Sequence, residues 1–201
     1  MAIKKQLEEI ELLIKARYPI IYLVTWEEDR VEKIFAEIAA KLGMNLHAWT
    51  VNAGLSQCAG GSQKTAAAAD PLDMLDEIKS HKAPAIYLLE DFHHFINDIR
   101  VCRKLRDELD GFRSADKILV VTAPSVTFPP ELEKRVTVID LDLPNKSDIN
   151  ELVEKMKSEP GRKTPIVIEM DEASYEKLLY SMLGLTLTEA ENVFNKTMIL
   201  N

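Results

Sequence analysis

The chain has 201 residues, 46% of them hydrophobic and 29% charged, with a formal net charge of −8. That is enough apolar material for one cored domain, or one plus a small appendage. The acidic balance argues against a general nucleic-acid binder, and no apolar run approaches the roughly 20 residues of a membrane span. Glutamates interrupt the N-terminal stretch, so it does not read as a signal peptide. Cys58 and Cys102 have neither CxxC nor zinc spacing and fit reduced thiols in a cytosolic setting.

Residues 3–17 carry Ile3, Leu7, Ile10, Leu13 and Ile14 at helical spacing, ending at Tyr18-Pro19. Ile20 to Val24 is a continuous apolar run, the mark of a strand covered on both faces. A helix is expected over 27–42, closed by Gly43, then a second strand over 46–51. From Asn52 to Asp70 the composition turns to Gly, Ser, Gln and Ala and reads as a surface loop. Asp70-Pro71 opens a helix reaching about His81, with Asp as cap and Pro at the first helical position. Ala85 to Leu89 is a third buried strand, closed by Glu90-Asp91. A helix over 92–112, interrupted near Asn97-Asp98, precedes a fourth strand, Lys117 to Thr122. Pro129-Pro130 opens a short helix through Lys134, and Val136 to Leu141 is the fifth strand. Alternating solid strands and helices imply an α/β core with a parallel five-stranded sheet and helices on both faces. Past Pro144, helices near 146–157, 171–182 and 187–199 form a helical lid, dividing the chain into 1–145 and 146–201. An amphipathic stretch running up to Asn201 suggests a piece of a longer chain, or a last helix packed on a partner.

Three places bear on chemistry. At the first strand–helix turn, where a glycine-rich phosphate loop would sit, the chain reads TWEEDRV. Such a loop closes backbone N–H groups and a lysine around phosphate. Glu27, Glu28 and Asp29 instead suit the helix's own free N–H groups and positive dipole end, and would repel a triphosphate. GGSQKT, residues 60–65, imitates the end of a phosphate loop, but Cys58 and Gln63 occupy positions that require glycine.

The second place is AIYLLEDFH, residues 85–93, a strand ending in Glu90 and Asp91. Paired acids there either hold magnesium and orient water, or simply cap the next helix. The third is the fourth strand with the segment after it. Thr122 and Ser125 lie at the edge where open α/β sheets bind ligands, and Arg135 could point at a neighbouring subunit. Ordinary turn residues and a surface arginine are the plainer reading. His93 and His94, as adjacent helical residues, diverge by about 100° and are not expected to share a metal ion. His94 with Asp98, and the basic run Arg100, Arg103, Lys104 and Arg106 with its acidic neighbours Asp107, Glu108 and Asp110, read as i,i+4 pairs on a solvated helix.

Taken together these segments resemble an AAA+ ATPase module, a P-loop-NTPase-like fold. More narrowly, the chain is similar to the degenerate N-terminal AAA-like domain of the plastid and cyanobacterial open-reading-frame AAA proteins (the ycf forty-six type). The resemblance rests on ARYPIIYLVTWEEDRV (16–31), the Trp49 strand followed by Gly54, and DPLDMLDEI (70–78). It continues through IYLLEDFHHFI (86–96), PPELEKRV (129–136) and LGLTLTEAENV (183–193). It implies that Glu90 and Asp91 stand at the Walker B end, with Asp91 the magnesium position, Thr122 near sensor one and Arg135 near the trans-acting arginines. It also implies that the fourth strand lies between the first and third. The parent family uses ATP and magnesium, while no cofactor is expected for this domain itself. Expected partners are an adjacent AAA domain or other ring subunits and protein clients, with no membrane and no nucleic acid. The expected compartment is the cytoplasm or plastid stroma. The implied role is assembly or regulation beside an ATP-hydrolysing domain. The alternatives are a weak ATPase using Glu90, Asp91 and Lys64, and a stand-alone interaction domain.

Overall fold

A computed structural model describes residues 2–58, 69–158 and 171–200. The order is α1 (Ala2–Lys15), β1 (Ile20–Val24), α2 (Glu28–Leu42), β2 (Asn45–Thr50), β3 (Gly54–Gln57), α3 (Pro71–Ser80) and β4 (Ala85–Glu90). It continues with α4 (Ile99–Ser114), β5 (Lys117–Ala123), β6 (Val136–Asp140), α5 (Lys146–Ser158), α6 (Glu172–Ser181) and α7 (Leu187–Leu200). The chain divides into two compact units, Met1–Leu141 and Asp142–Asn201.

The sheet of the first unit has six strands in the order β3-β2-β4-β5-β1-β6. Strand β5 lies between β1 and β4, the arrangement the resemblance implies. All neighbours are parallel except β2 and β3, which form an antiparallel hairpin. This edge hairpin corrects the expectation of an all-parallel five-stranded sheet with a plain loop from Asn52. Thr50 Oγ1 accepts the Ala53 amide at 2.9 Å, and Gly54 adopts φ 68°, so the chain reverses and pairs Leu55 with Trp49. Residues 59–68, with the GGSQKT segment and Lys64, lie outside the described residues.

Strand alternation sorts the core onto two faces. Tyr22, Trp49, Tyr87, Leu89, Leu119 and Val121 pack with Met74, Leu75, Leu105 and Leu109 of α3 and α4. Ile21, Leu23, Ile86, Leu88, Ile118 and Val120 face Ile10 and Ile14 of α1 and Val31, Phe35 and Ile38 of α2. Strands buried on both faces need the near-continuous apolar runs seen in the sequence.

Helix ends follow their local chemistry. Gly43 ends α2 in the left-handed conformation, φ 67°. The Asp70 carboxylate accepts the Leu72 amide at 2.8 Å and the Asp73 amide at 3.3 Å, opening α3. Asp98 caps α4 in the same way, through the Arg100 and Val101 amides. That role removes it from the i,i+4 pairing expected with His94, because the two residues do not share a helix. On α4 only part of the expected ladder forms. Arg103 pairs with Asp107, whereas Lys104 reaches Asp76, Glu108 receives Lys79 and Asp110 receives Arg135. The basic and acidic residues of α4 therefore tie it to its neighbours as well as to itself. Among the described residues of the second unit, α5, α6 and α7 surround Ile149, Val153, Met156, Leu179, Met182, Ala190 and Phe194.

Candidate functional site

At the carboxyl end of the sheet, the β1–α2 turn, the β4 end and the β5 end come together. Register places Glu90 opposite Thr122, and the Asp91 amide donates to the Thr122 carbonyl at 3.1 Å. Along the next ladder the Thr25 amide donates to the Ala123 carbonyl at 2.9 Å.

The β1–α2 turn has its own internal arrangement of charge. Thr25 Oγ1 accepts the Glu27 amide at 3.0 Å, while the Glu27 side chain makes no cap bond to the helix. Its carboxylate instead accepts from Arg30 Nη1 at 2.7 Å, in a pair buried on both sides. The expectation that Glu27 would satisfy free helix amides through its side chain is thus corrected: Arg30, one turn along, is the stronger partner. Glu28 and Asp29 stand in the first helical turn. Trp26, at the tip, is 73% exposed.

These carboxylates act on one another. Glu90 is pushed up to about 7, first by its removal from water and then by the charges of Glu28, Glu32, Asp29 and Asp91. Glu28 is raised by burial, and next by Asp91 and Asp29. The floor where the β1–α2 turn meets the end of β4 is a concentrated negative field.

After Glu90 the chain turns sharply. Asp91 sits at φ 54°, a left-handed conformation that a short polar side chain tolerates better than most. A single 3-10 turn spans Phe92–His94. Phe92 and Phe95 meet Trp49 edge-on, with centroids 5.6 and 5.7 Å apart, and lock the turn onto the core. Adjacent residues of such a turn leave the axis about 120° apart, more than in an α-helix, yet the His93 and His94 side chains bend back towards each other. Their rings lie side by side, 3.9 Å between centroids. One ligand atom from each of Asp91, His93 and His94 falls within 4.8 Å of the others. The DFHH spacing set these residues close along the chain, but the approach of their side chains depends on rotamers that a backbone period does not report.

The other residues nominated from the sequence have separate settings. Thr122 is buried, and its hydroxyl is without a hydrogen-bond partner among the described residues. The Ser125 carbonyl accepts the Tyr22 hydroxyl at 2.7 Å, an ordinary loop tether. Arg135 donates to Asp110 on α4 at 2.7 Å, away from Glu90 and Asp91 in its bonding.

Residues 6–141 match the N-terminal domain of the SpoVK-like AAA ATPase family, and residues 147–201 match its second domain. The chain belongs to the SpoVK-like AAA ATPase family. Among curated proteins, this AAA chain is 32% identical over 192 residues to the uncharacterized AAA domain-containing protein ycf46 of Guillardia theta. It is 30% identical over 192 residues to the protein of the same name from Trieres chinensis. Each match covers 94% of the chain but only 36% and 37% of the relative, so the chain spans about a third of their length. Among solved structures, an ADP complex of the FIGL-1 AAA domain aligns with TM-score 0.60 at 13% identity, covering 93% of this chain and 66% of that one. A katanin self-assembly structure aligns at 0.59 and 14%, covering 98% and 67%. At such identity these likenesses establish the AAA+ fold. The AAA family generally uses ATP and magnesium, and its members form rings with other subunits.

Proposed function

We propose that this AAA domain has lost a usable Walker A loop and serves assembly or regulation beside an ATP-hydrolysing AAA domain. The observation that carries this reading is the acidic field at the β1–α2 turn. Glu28, Asp29, Glu90 and Asp91 crowd together there, and their mutual repulsion helps to raise the proton affinity of Glu28 and Glu90. An ATP phosphate chain brings further negative charge and requires lysine and free amides to receive it. The nearest cation on this turn, Arg30, is buried against Glu27. The residues present do not suit a triphosphate, and no phosphoryl-transfer step is assigned to them.

A frame without a phosphate seat keeps its value as a packing unit. The sheet order and the helical second unit are those of a family whose members assemble into rings. We assign the same use here: a layer or neighbour that shapes an active AAA domain, in the cytoplasm or a plastid stroma. Among the described residues no helix is long and apolar enough to cross a membrane. The test is an ATPase assay of this domain alone and mixed with an ATP-hydrolysing AAA domain of a ycf46 protein. The expected result is no hydrolysis alone, and a changed rate or oligomer size in the mixture. Hydrolysis by the isolated domain that disappears in Asp91→Asn would refute the reading.

A further inference from the structure

We propose that Asp91, His93 and His94 form a binding site for a borderline divalent transition-metal ion, with zinc as the representative case. One carboxylate oxygen and two imidazole nitrogens are the donor set that selects such ions over magnesium, which demands oxygen ligands. The site is independent of whether the domain binds nucleotide, and it differs in ion class from the magnesium position of the parent family.

Three observations carry it. First, the three ligand atoms already lie within 4.8 Å of one another, and His93 Nδ1 stands 3.8 Å from Asp91 Oδ1. Around a tetrahedral zinc with bonds of about 2.0–2.1 Å, neighbouring ligand atoms sit roughly 3.4 Å apart. Closing the set takes a movement of little more than about 1 Å. Second, His93 is 8% exposed, and its buried Nδ1 has no hydrogen-bond partner among the described residues. A buried polar atom left unpaired is costly, and a metal ion coordinated at that nitrogen removes the cost. Third, the flexible and fixed parts are suitably divided. His93 is held by the turn that Phe92 and Phe95 anchor on Trp49, while Asp91 and His94 are exposed and free to adjust. The Asp91 carbonyl also accepts the His94 amide at 3.1 Å, which keeps the outer two ligands together. The surrounding field favours any cation, because Glu28 and Asp29 press on the same acidic floor. Three protein ligands leave at least one coordination position for water or another donor.

The experiment is calorimetric titration of the 201-residue chain with zinc chloride, and in parallel with magnesium chloride. The expected result is one zinc equivalent that excess magnesium does not displace. Affinity should fall at least about tenfold in Asp91→Asn and in His94→Ala, since loss even of an outer partner costs a metal site that much. Asparagine tolerates the left-handed backbone at position 91, and position 94 is exposed, so both variants should keep the fold. His47→Ala, which alters the separate His47–His81 contact, should leave zinc affinity unchanged. A measurement that needs no variant is the imidazole nitrogen NMR spectrum of the unaltered chain, which has four histidines. Zinc should shift His93 and His94 and leave His47 and His81 in place. Absence of saturable zinc binding, binding unchanged in both variants, or shifts confined to His47 and His81 would each overturn the proposal.

Discussion

Glu90→Gln should stabilise the protein at alkaline pH and leave it unchanged at acid pH. Glu90 ends β4, half-buried, facing the charges of Glu28, Glu32, Asp29 and Asp91. Its carboxyl is raised from 4.5 to about 7 in the folded chain. The folded state therefore holds this proton more tightly than the unfolded state. The contribution to stability is greatest below about pH 4.5 and is lost as pH rises towards 7, the reverse of a salt-bridged acid. The difference between 4.5 and about 7, at 1.36 kcal/mol per pH unit, sets an upper limit of about 3.4 kcal/mol. Partial exposure lets water and salt screen the charge, which brings the expected effect to about 1–2 kcal/mol. Both tryptophans, Trp26 and Trp49, belong to the first unit, so urea unfolding monitored by fluorescence reports on the α/β core. With an m-value of about 2 kcal/mol/M, the Gln midpoint at pH 8 should exceed wild type by roughly 0.5–1 M. At pH 4 the two curves should coincide. Parallel pH profiles, or a Gln variant weaker at pH 8, would refute the claim that this floor is electrostatically strained.

Named contacts set three further outcomes. Lys117 is 3% exposed and donates to the Ile78 and Lys79 carbonyls at the end of α3, 2.7 and 3.1 Å away. Lys117→Met should cost about 1–3 kcal/mol in urea unfolding, because both carbonyls lose a buried charged donor and Ile78 keeps only the 3.3 Å bond from the His81 amide. Gly43→Ala should cost about 1–2 kcal/mol from the left-handed backbone alone, since nothing lies within 4 Å of the added methyl. Trp49→Ala should cost about 3–5 kcal/mol through the cavity it opens, while Trp26→Ala at the exposed turn should stay within about 0.5 kcal/mol. Thermal or urea unfolding of the two tryptophan variants separates core from surface directly.

The sequence was most legible where one force dominates. Ile20–Val24, Ala85–Glu90 and Lys117–Ala123 are buried on both faces, so unbroken apolar runs announce them. Asp70-Pro71 and Gly43 fix helix ends through local backbone chemistry that needs no tertiary context. The edge strand Gly54–Gln57 was hidden because only Leu55 in it is a large apolar residue. Its existence depends on pairing with β2, which is tertiary information. The approach of the two histidine rings was hidden for a related reason. A backbone period fixes only where side chains leave the turn, whereas the 3.9 Å approach of the His93 and His94 rings depends on rotamers that the folded surroundings select. Likewise, Glu27 reads as a helix-start acid, and only the structure reveals its buried partner Arg30.

If carboxylates fill the place where this fold elsewhere receives phosphate, the domain should not take up nucleotide. Calorimetric titration of the 201-residue chain with magnesium-ATP measures this without any partner present. No saturable heat is expected below millimolar nucleotide, in wild type and in Asp91→Ala alike. Saturable binding at millimolar concentration or tighter, weakened by Asp91→Ala, would show that a phosphate seat survives.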